Sequence, residues 1–333
     1  MTKSTTYRML GMFVGVLAGL SSLAAQNLPA EDHLLRLVLS EKYLSVYNQD
    51  QLLLRYKYEG TPFKPYVQEF YTPAGINILR DAPHDHLHHH GLMLAYSVEG
   101  INFWEELAAS GRQQHLEFGK CEIGRDAQDP IAAISEKIDW VNPAAKEVLL
   151  CEQRTLTVEI SPEVKATLIT WTSTFTLPPG KSQAVIGGAH YNGLGMRFLE
   201  SMDRDETKEF FTAEGKEGTI FRGEERLVRS GWCAFSSQAE GKPVTITMLA
   251  FPENARHPAT WFTMQKPFAY LSATLAVHEE PLVLRGEETL TLHYGAAVWD
   301  GHPEAEEIEK AYQAWLQAQS QKKENANRKG DSL

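Results

Sequence analysis

The chain has 333 residues, 43% of them hydrophobic and 23% charged, with a formal net charge of −11 at pH 7. That acidic surplus argues against nucleic acid and anionic membranes as partners. The hydrophobic share suffices for a large core, as one big β-domain or two smaller domains. The three cysteines, Cys121, Cys151 and Cys233, match no zinc-site spacing and allow at most one internal disulfide.

Residues 1–25 read as a secretory signal: Lys3 and Arg8 form a basic start, Met9 to Leu23 an apolar stretch, and Ser22-Leu23-Ala24-Ala25 a small-residue cleavage site. The mature chain is expected to begin near Gln26 and to be exported, to a periplasm or beyond. Loss of Lys3 and Arg8, with no acid lost, takes the formal charge from −11 to −13. The apolar stretch is shorter than the ~20 residues a spanning helix needs, and no other segment approaches that length. No membrane span is therefore expected after cleavage.

From Leu34 onward the pattern is that of strands. Leu34 to Leu39 comes first, then Gln51 to Tyr58, in which Leu52, Leu54, Tyr56 and Tyr58 are spaced to share one face. Further strands are expected at Ile131 to Trp140, Lys146 to Ile160, Ala166 to Thr176, Val244 to Phe251 and Thr289 to Trp299. Long alternating runs such as Glu147 to Val158 suit antiparallel sheets stacked face to face. No strand-helix-strand rhythm appears, which excludes a doubly wound α/β fold. After Pro303, the residues Ile308, Ala311, Tyr312, Trp315 and Leu316 recur at helical spacing and predict an amphipathic helix that docks on the sheets. The expectation is an all-β protein, a large antiparallel β-sandwich over 26–302, with a C-terminal helix over 303–319 and a disordered tail over 320–333.

Five of the seven residues from His84 to His90 are histidines, in Pro83-His84-Asp85-His86-Leu87-His88-His89-His90-Gly91. Imidazole both gives and takes protons near neutrality and is the commonest metal ligand. In an extended run His84, His86, His88 and His90 would point one way, and Asp85, Leu87 and His89 the other. Next comes Gly100-Ile101-Asn102-Phe103-Trp104-Glu105-Glu106, whose carboxylates could exchange a proton and whose Trp104 could stack on a sugar ring. A glycine-rich stretch from Gly187 to Glu200 offers His190, Asn192, Arg197 and Glu200 as mixed donors and acceptors, against the plainer reading of a hairpin with an Arg-Glu ion pair. The loop Phe251 to Phe262 adds Asn254, Arg256, His257 and Trp261. Phosphate-loop, dinucleotide and nucleophile-elbow patterns are missing.

These stretches resemble the family labelled methane oxygenase PmoA, exported bacterial proteins of poorly defined function. The resemblance runs from Lys64-Pro65-Tyr66 and Thr72-Pro73-Ala74-Gly75 through Asp85 to Gly91, Asn102-Phe103-Trp104, Gly193-Leu194-Gly195-Met196-Arg197 and Pro252 to Trp261, to Asp300-Gly301-His302. His90 departs from it, a basic residue being more usual there. A genuine methane monooxygenase subunit would need several apolar helices, and the sequence has none after the signal. By analogy, the resemblance implies a supersandwich like that of the sugar mutarotases, in which a His and a carboxylate act on a carbohydrate.

The leading functional expectation is an exported carbohydrate-active protein that takes a small-molecule or oligosaccharide substrate. The cleft would be lined by the histidine run, Trp104, the Gly193 to Arg197 turn and Trp261. His86 and His88 would be acid and base, Glu105 or Glu200 the carboxylate partner, and Arg197 the substrate clamp. Asp85, His89, His190, Asn192, Asn254, Arg256 and His257 would join Trp104 and Trp261 in binding. One alternative makes His86, His88 and His89 ligands of a divalent metal. Another is a carbohydrate-binding envelope protein without catalysis.

Overall fold

The computed structural model describes residues 35–126, 129–161 and 164–330, and the signal expected over residues 1–25 lies outside them. Among the described residues two large antiparallel sheets, of ten and eight strands, are accompanied by a smaller four-stranded one. The long alternating segments build the eight-stranded sheet: Asp129–Asn142, Glu147–Ser161, Ala166–Thr176 and Leu290–Asp300 lie side by side, the third with the bounds its sequence predicts. Buried side chains from both large sheets form one continuous core. The protein is therefore the antiparallel β-sandwich that the alternation predicts.

Two strands depart from the simple pattern. In Gln51–Lys57 the pairing passes from Val46↔Leu54 to Tyr47↔Leu52, so a bulge at Leu53 separates Leu52 from the face it was expected to share with Leu54 and Tyr56. Arg112–Asp126 forms a fifteen-residue strand that the sequence pattern does not announce. It is the outer strand of its sheet and carries polar and charged residues such as Gln114, Glu117 and Lys120, as edge strands do to avoid pairing with other chains.

The C-terminal helix spans Ala305–Gly330 and so continues through most of the stretch expected to be a disordered tail. Ile308, Ala311, Tyr312 and Trp315 pack on Trp232, Leu249, Phe251 and Trp299. Trp315 Nε1 donates to Thr170 Oγ1 at 2.9 Å and the Tyr312 hydroxyl to the Ala250 carbonyl at 2.8 Å, which fixes the helix on the outer face of the eight-stranded sheet. Among the described residues no helix is long and apolar enough to cross a membrane. Cys121, Cys151 and Cys233 are all free thiols.

Within the ten-stranded sheet the order that matters for function is Leu92–Ala95, Gly193–Arg197, Tyr270–Thr274, Ala259–Met264, Glu225–Ser230 and Thr219–Arg222. Residues paired across antiparallel strands point to the same side. The register Arg197↔Tyr270, Tyr270↔Met264 and Met264↔Glu225 therefore puts these four on one face, with Gly195, Ser272 and Phe262. Leu194, Leu271 and Trp261 take the opposite face.

Candidate functional site

A cavity of about 340 Å³ opens on the Tyr270 face of this sheet. Tyr270, Phe262 and Met264 come from its strands and Phe268 from the preceding loop. The walls are His86, His88 and His89, then Trp104 and Glu105, then Tyr191, Arg222 and Glu225.

The histidine run is not extended. His86 N donates to the Pro83 carbonyl at 3.0 Å and His89 N to the His86 carbonyl at 2.9 Å, so two consecutive turns replace the expected alternation. The turns bring His86 and His89 into a stack, ring centroids 4.6 Å apart, with His88 edge-on to His89 at 4.5 Å. His89 therefore joins His86 and His88, where an extended chain would have opposed them. Gly91 permits the exit: a Cβ there would lie 2.3 Å from the Val67 carbonyl oxygen.

His90 turns away and plays a different part. It stacks on Tyr66, Nδ1 lies 2.5 Å from Asp81 Oδ1 and Nε2 3.0 Å from Glu106 Oε1, while the fully buried Lys64 donates to the same Glu106 oxygen at 2.8 Å. Burial opposes charge on His90, but the two carboxylate hydrogen bonds prevail and raise its pKa. Behind the cavity, then, stands a paired layer of Lys64, His90, Asp81 and Glu106 that braces the histidine turn.

The cavity histidines are tuned in the opposite sense. Burial first, then the Lys64 and His86 charges, lowers His88 to about 4. Burial and the neighbouring His88, His86 and Arg197 lower His89 to about 2. Both are uncharged imidazoles at neutral pH, able to accept a proton or a hydrogen bond. His86 Nδ1 lies 3.2 Å from Asp85 Oδ2. Among the described residues, His89 Nδ1, Trp104 Nε1 and the Tyr270 hydroxyl are buried without a hydrogen-bond partner. Unsatisfied buried polar atoms cost free energy and call for an explanation such as strain, an ordered water or a catalytic role. The Glu105 carboxylate likewise makes no ion pair or hydrogen bond among the described residues. Across the cavity Glu225 is held by His190 Nε2 at 2.9 Å and Arg222 at 2.7 Å.

Several expected site residues serve the scaffold. Arg197 is buried, its guanidinium 3.0 Å from Asp203 and 3.9 Å from the Phe268 ring centroid, so it supports the floor and is no exposed clamp. Gly195, from the same motif, makes room for Tyr270, whose hydroxyl would lie 2.4 Å from a Cβ at that position. Glu200 pairs with Arg204 and Arg80 outside the cavity. That also corrects the Arg-Glu hairpin pairing, since the partner of Arg197 is Asp203. Asn192 Oδ1 accepts from Ala189 N at 2.8 Å and closes a turn. Asn254 bonds both His293 backbone groups, and Arg256 donates to the Leu275 and Ala276 carbonyls. Trp261 is buried on the opposite face, donating to the Ser230 carbonyl at 2.9 Å, and neither it nor His257 lines the cavity. No group of three His, Cys, Asp or Glu side chains among the described residues is arranged to hold a metal ion, the expected set of His86, His88 and His89 included.

Tyr191, Arg222, Glu225, Phe262, Met264, Pro267, Phe268 and Tyr270 were not anticipated. Tyr191 and Phe262 sit one residue from His190 and Trp261, and strand parity separates the latter pair. For the others the signal lies in the sheet order alone.

Residues 43–313 match the profile of a family of unknown function, DUF6807. No curated protein matches the chain. Among solved structures it is similar to the α-galactosidase from Lactobacillus brevis, at 9% identity and a TM-score of 0.45 over 81% of this chain and 40% of that one. It is also similar to the GH36 α-galactosidase AgaB from Geobacillus stearothermophilus, at 9% identity and 0.43 over 83% and 41%. A galactose mutarotase-like protein from Clostridium acetobutylicum matches at 11% identity and 0.40 over 83% and 98%. The chain thus spans about two fifths of the galactosidase chains it matches. The resemblance to the family labelled methane oxygenase PmoA is overturned, since the family profile that matches residues 43–313 is DUF6807.

Proposed function

The chain belongs to the DUF6807 family, and we propose that it binds a saccharide in this cavity and performs acid–base chemistry on it, of the epimerase, lyase or hydrolase type. The observation that carries the reading is the meeting, in one cavity of about 340 Å³, of two uncharged imidazoles, a free carboxylate and an aromatic floor and wall. Trp104, Phe268 and Tyr270 offer flat apolar surfaces that suit the C–H faces of a pyranose. A sugar transformation of this kind needs one group to take a proton and another to give one. His88, held uncharged, takes it; His86, with Asp85 beside it, gives it; Glu105 stabilises positive charge that develops between them.

Titration with common hexoses and their methyl glycosides tests binding, and NMR in D2O reads deuterium uptake at sugar carbons together with release of free sugar. Trp104→Ala is expected to lose binding; His88→Ala is expected to bind and not turn over. A folded Trp104→Ala that binds every sugar as the parent does would remove the sugar from this cavity. We also propose export, on the sequence of residues 1–25 alone; protein from its host whose N-terminus is Met1 would refute it.

A further inference from the structure

We propose that the substrate has two parts and straddles the histidine turn, with a sugar unit in the cavity and an apolar aglycone, aryl or alkyl, in a cleft on the other side. The sugar half rests on the function proposed above; the apolar half rests on separate observations. A second cleft, of about 330 Å³, adjoins the cavity and shares His86, His88 and Glu105 with it. Its remaining lining is His84, Asp85 and Glu106 together with two leucines, Leu87 and Leu107. These are 66% and 62% exposed, the highest values of any large hydrophobic side chain among the described residues.

A single exposed leucine is ordinary. Two that line the same cleft, one at the tip of a turn otherwise made of His and Asp, form an apolar surface that the fold does not use, since neither belongs to a core cluster. The three shared residues are the groups the proposed chemistry employs. They form a ridge between the compartments, so a bond that links a sugar to its aglycone would lie against them when both compartments are filled. A free monosaccharide would leave Leu87 and Leu107 in water; a glycoside with an apolar aglycone covers them. The length of the ligand, and not the sugar alone, then brings the reacting bond to His86, His88 and Glu105.

The test compares methyl and 4-nitrophenyl glycosides of glucose, galactose, mannose and xylose, both anomers, by calorimetry, with 4-nitrophenol alone as a further probe. For the sugar that binds, the aryl glycoside is expected to bind about tenfold tighter than the methyl glycoside, as burial of two leucines against a ring implies. The double variant Leu87→Ser/Leu107→Ser is expected to reduce that ratio to about twofold or less and leave methyl glycoside affinity unchanged, because exposed side chains contribute little to the fold. Equal affinities in the parent, or an aryl preference that survives in the double variant, overturns the aglycone cleft and leaves the sugar site standing. If no glycoside binds, yet 4-nitrophenol binds and is lost in the double variant, the sugar reading fails and the apolar cleft stands. If neither glycosides nor 4-nitrophenol bind, both fall.

Discussion

Two of the polar clusters within this sandwich are built on opposite terms. Between the large sheets, Arg154 donates to Glu152 at 2.8 and 2.9 Å, to Tyr56 and Gln113 at 2.9 and 3.1 Å and to the Pro65 carbonyl at 3.1 Å. Glu152 also accepts from Trp140 and Ser173, and Glu136 from the Tyr56 hydroxyl, with His115 Nδ1 2.6 Å away. Burial opposes the charge on Arg154, but Glu152 and its other neighbours outweigh it and raise its pKa. In the cavity, by contrast, His88 and His89 have lost their charge to burial, and Trp104 and Tyr270 keep donors with no partner among the described residues. Titratable groups are dense in both. What distinguishes them is completion: the first cluster closes on itself and joins two sheets, while the second leaves buried polar atoms without a partner among the described residues.

The sharpest way to break this contrast is to remove the centre of the closed cluster. Arg154→Ala strands Glu152 and is expected to destabilise the fold by about 3–5 kcal/mol, as loss of one partner of a buried ion pair does. Denaturant unfolding measures it, and a loss below ~1 kcal/mol would show that the network is not a structural joint. Gly195→Ala comes next. A Cβ there pushes on the Tyr270 ring under the cavity, and a cost of about 1–3 kcal/mol together with weaker ligand binding is expected. Binding at full parental strength would mean that the ring position does not matter to the ligand.

His89→Ala lies on the other side of the comparison, because it removes an unsatisfied group. Stability is expected to change by about 1 kcal/mol or less while ligand binding falls sharply. If it unfolds as readily as Arg154→Ala, the histidine turn belongs to the scaffold and the distinction collapses.

A pH dependence separates the two clusters as well. His88 and His89 have folded pKa values of about 4 and about 2 against 6.5 for the free side chain. Below 6.5 the unfolded chain takes up protons that the folded chain refuses. Their contribution is therefore neutral above that pH and destabilising as pH falls, until about 4 for His88 and about 2 for His89. Melting profiles from pH 7 to 4 should fall less steeply for the His88→Ala/His89→Ala double variant than for the parent. His293, lowered to about 4 by burial, acts alike in both and cancels from the difference. Parallel profiles would contradict the assignment.

Much of the sandwich was legible in single segments. Ala166–Thr176 reads directly from its alternation and β-branched residues, and the Ile308-Ala311-Tyr312-Trp315 stripe predicts the helix and the face it buries. Arg112–Asp126 was hidden because an edge strand satisfies solvent on one side and so loses the apolar period. In the site, the histidines, Trp104 and Glu105 stood out because their residue types crowd into short stretches. Trp261 and Phe262 show how little separates site from core in a strand: adjacent residues face opposite ways, and composition cannot say which side is the cavity.

Local periodicity thus determined the strands, the closing helix and the presence of a dense group of proton-transfer side chains, because each depends on neighbours within a few residues. The tertiary structure alone decided which of those side chains meet. It folded the histidine run into turns that divide His86, His88 and His89 from His90, and it set Gly193–Arg197 between Leu92–Ala95 and Tyr270–Thr274. That placement carried Tyr270, Glu225 and Arg222 to a cavity far from them in sequence. Sheet order is a property of the whole chain, reached by burying all its apolar faces at once, and no single segment contains it.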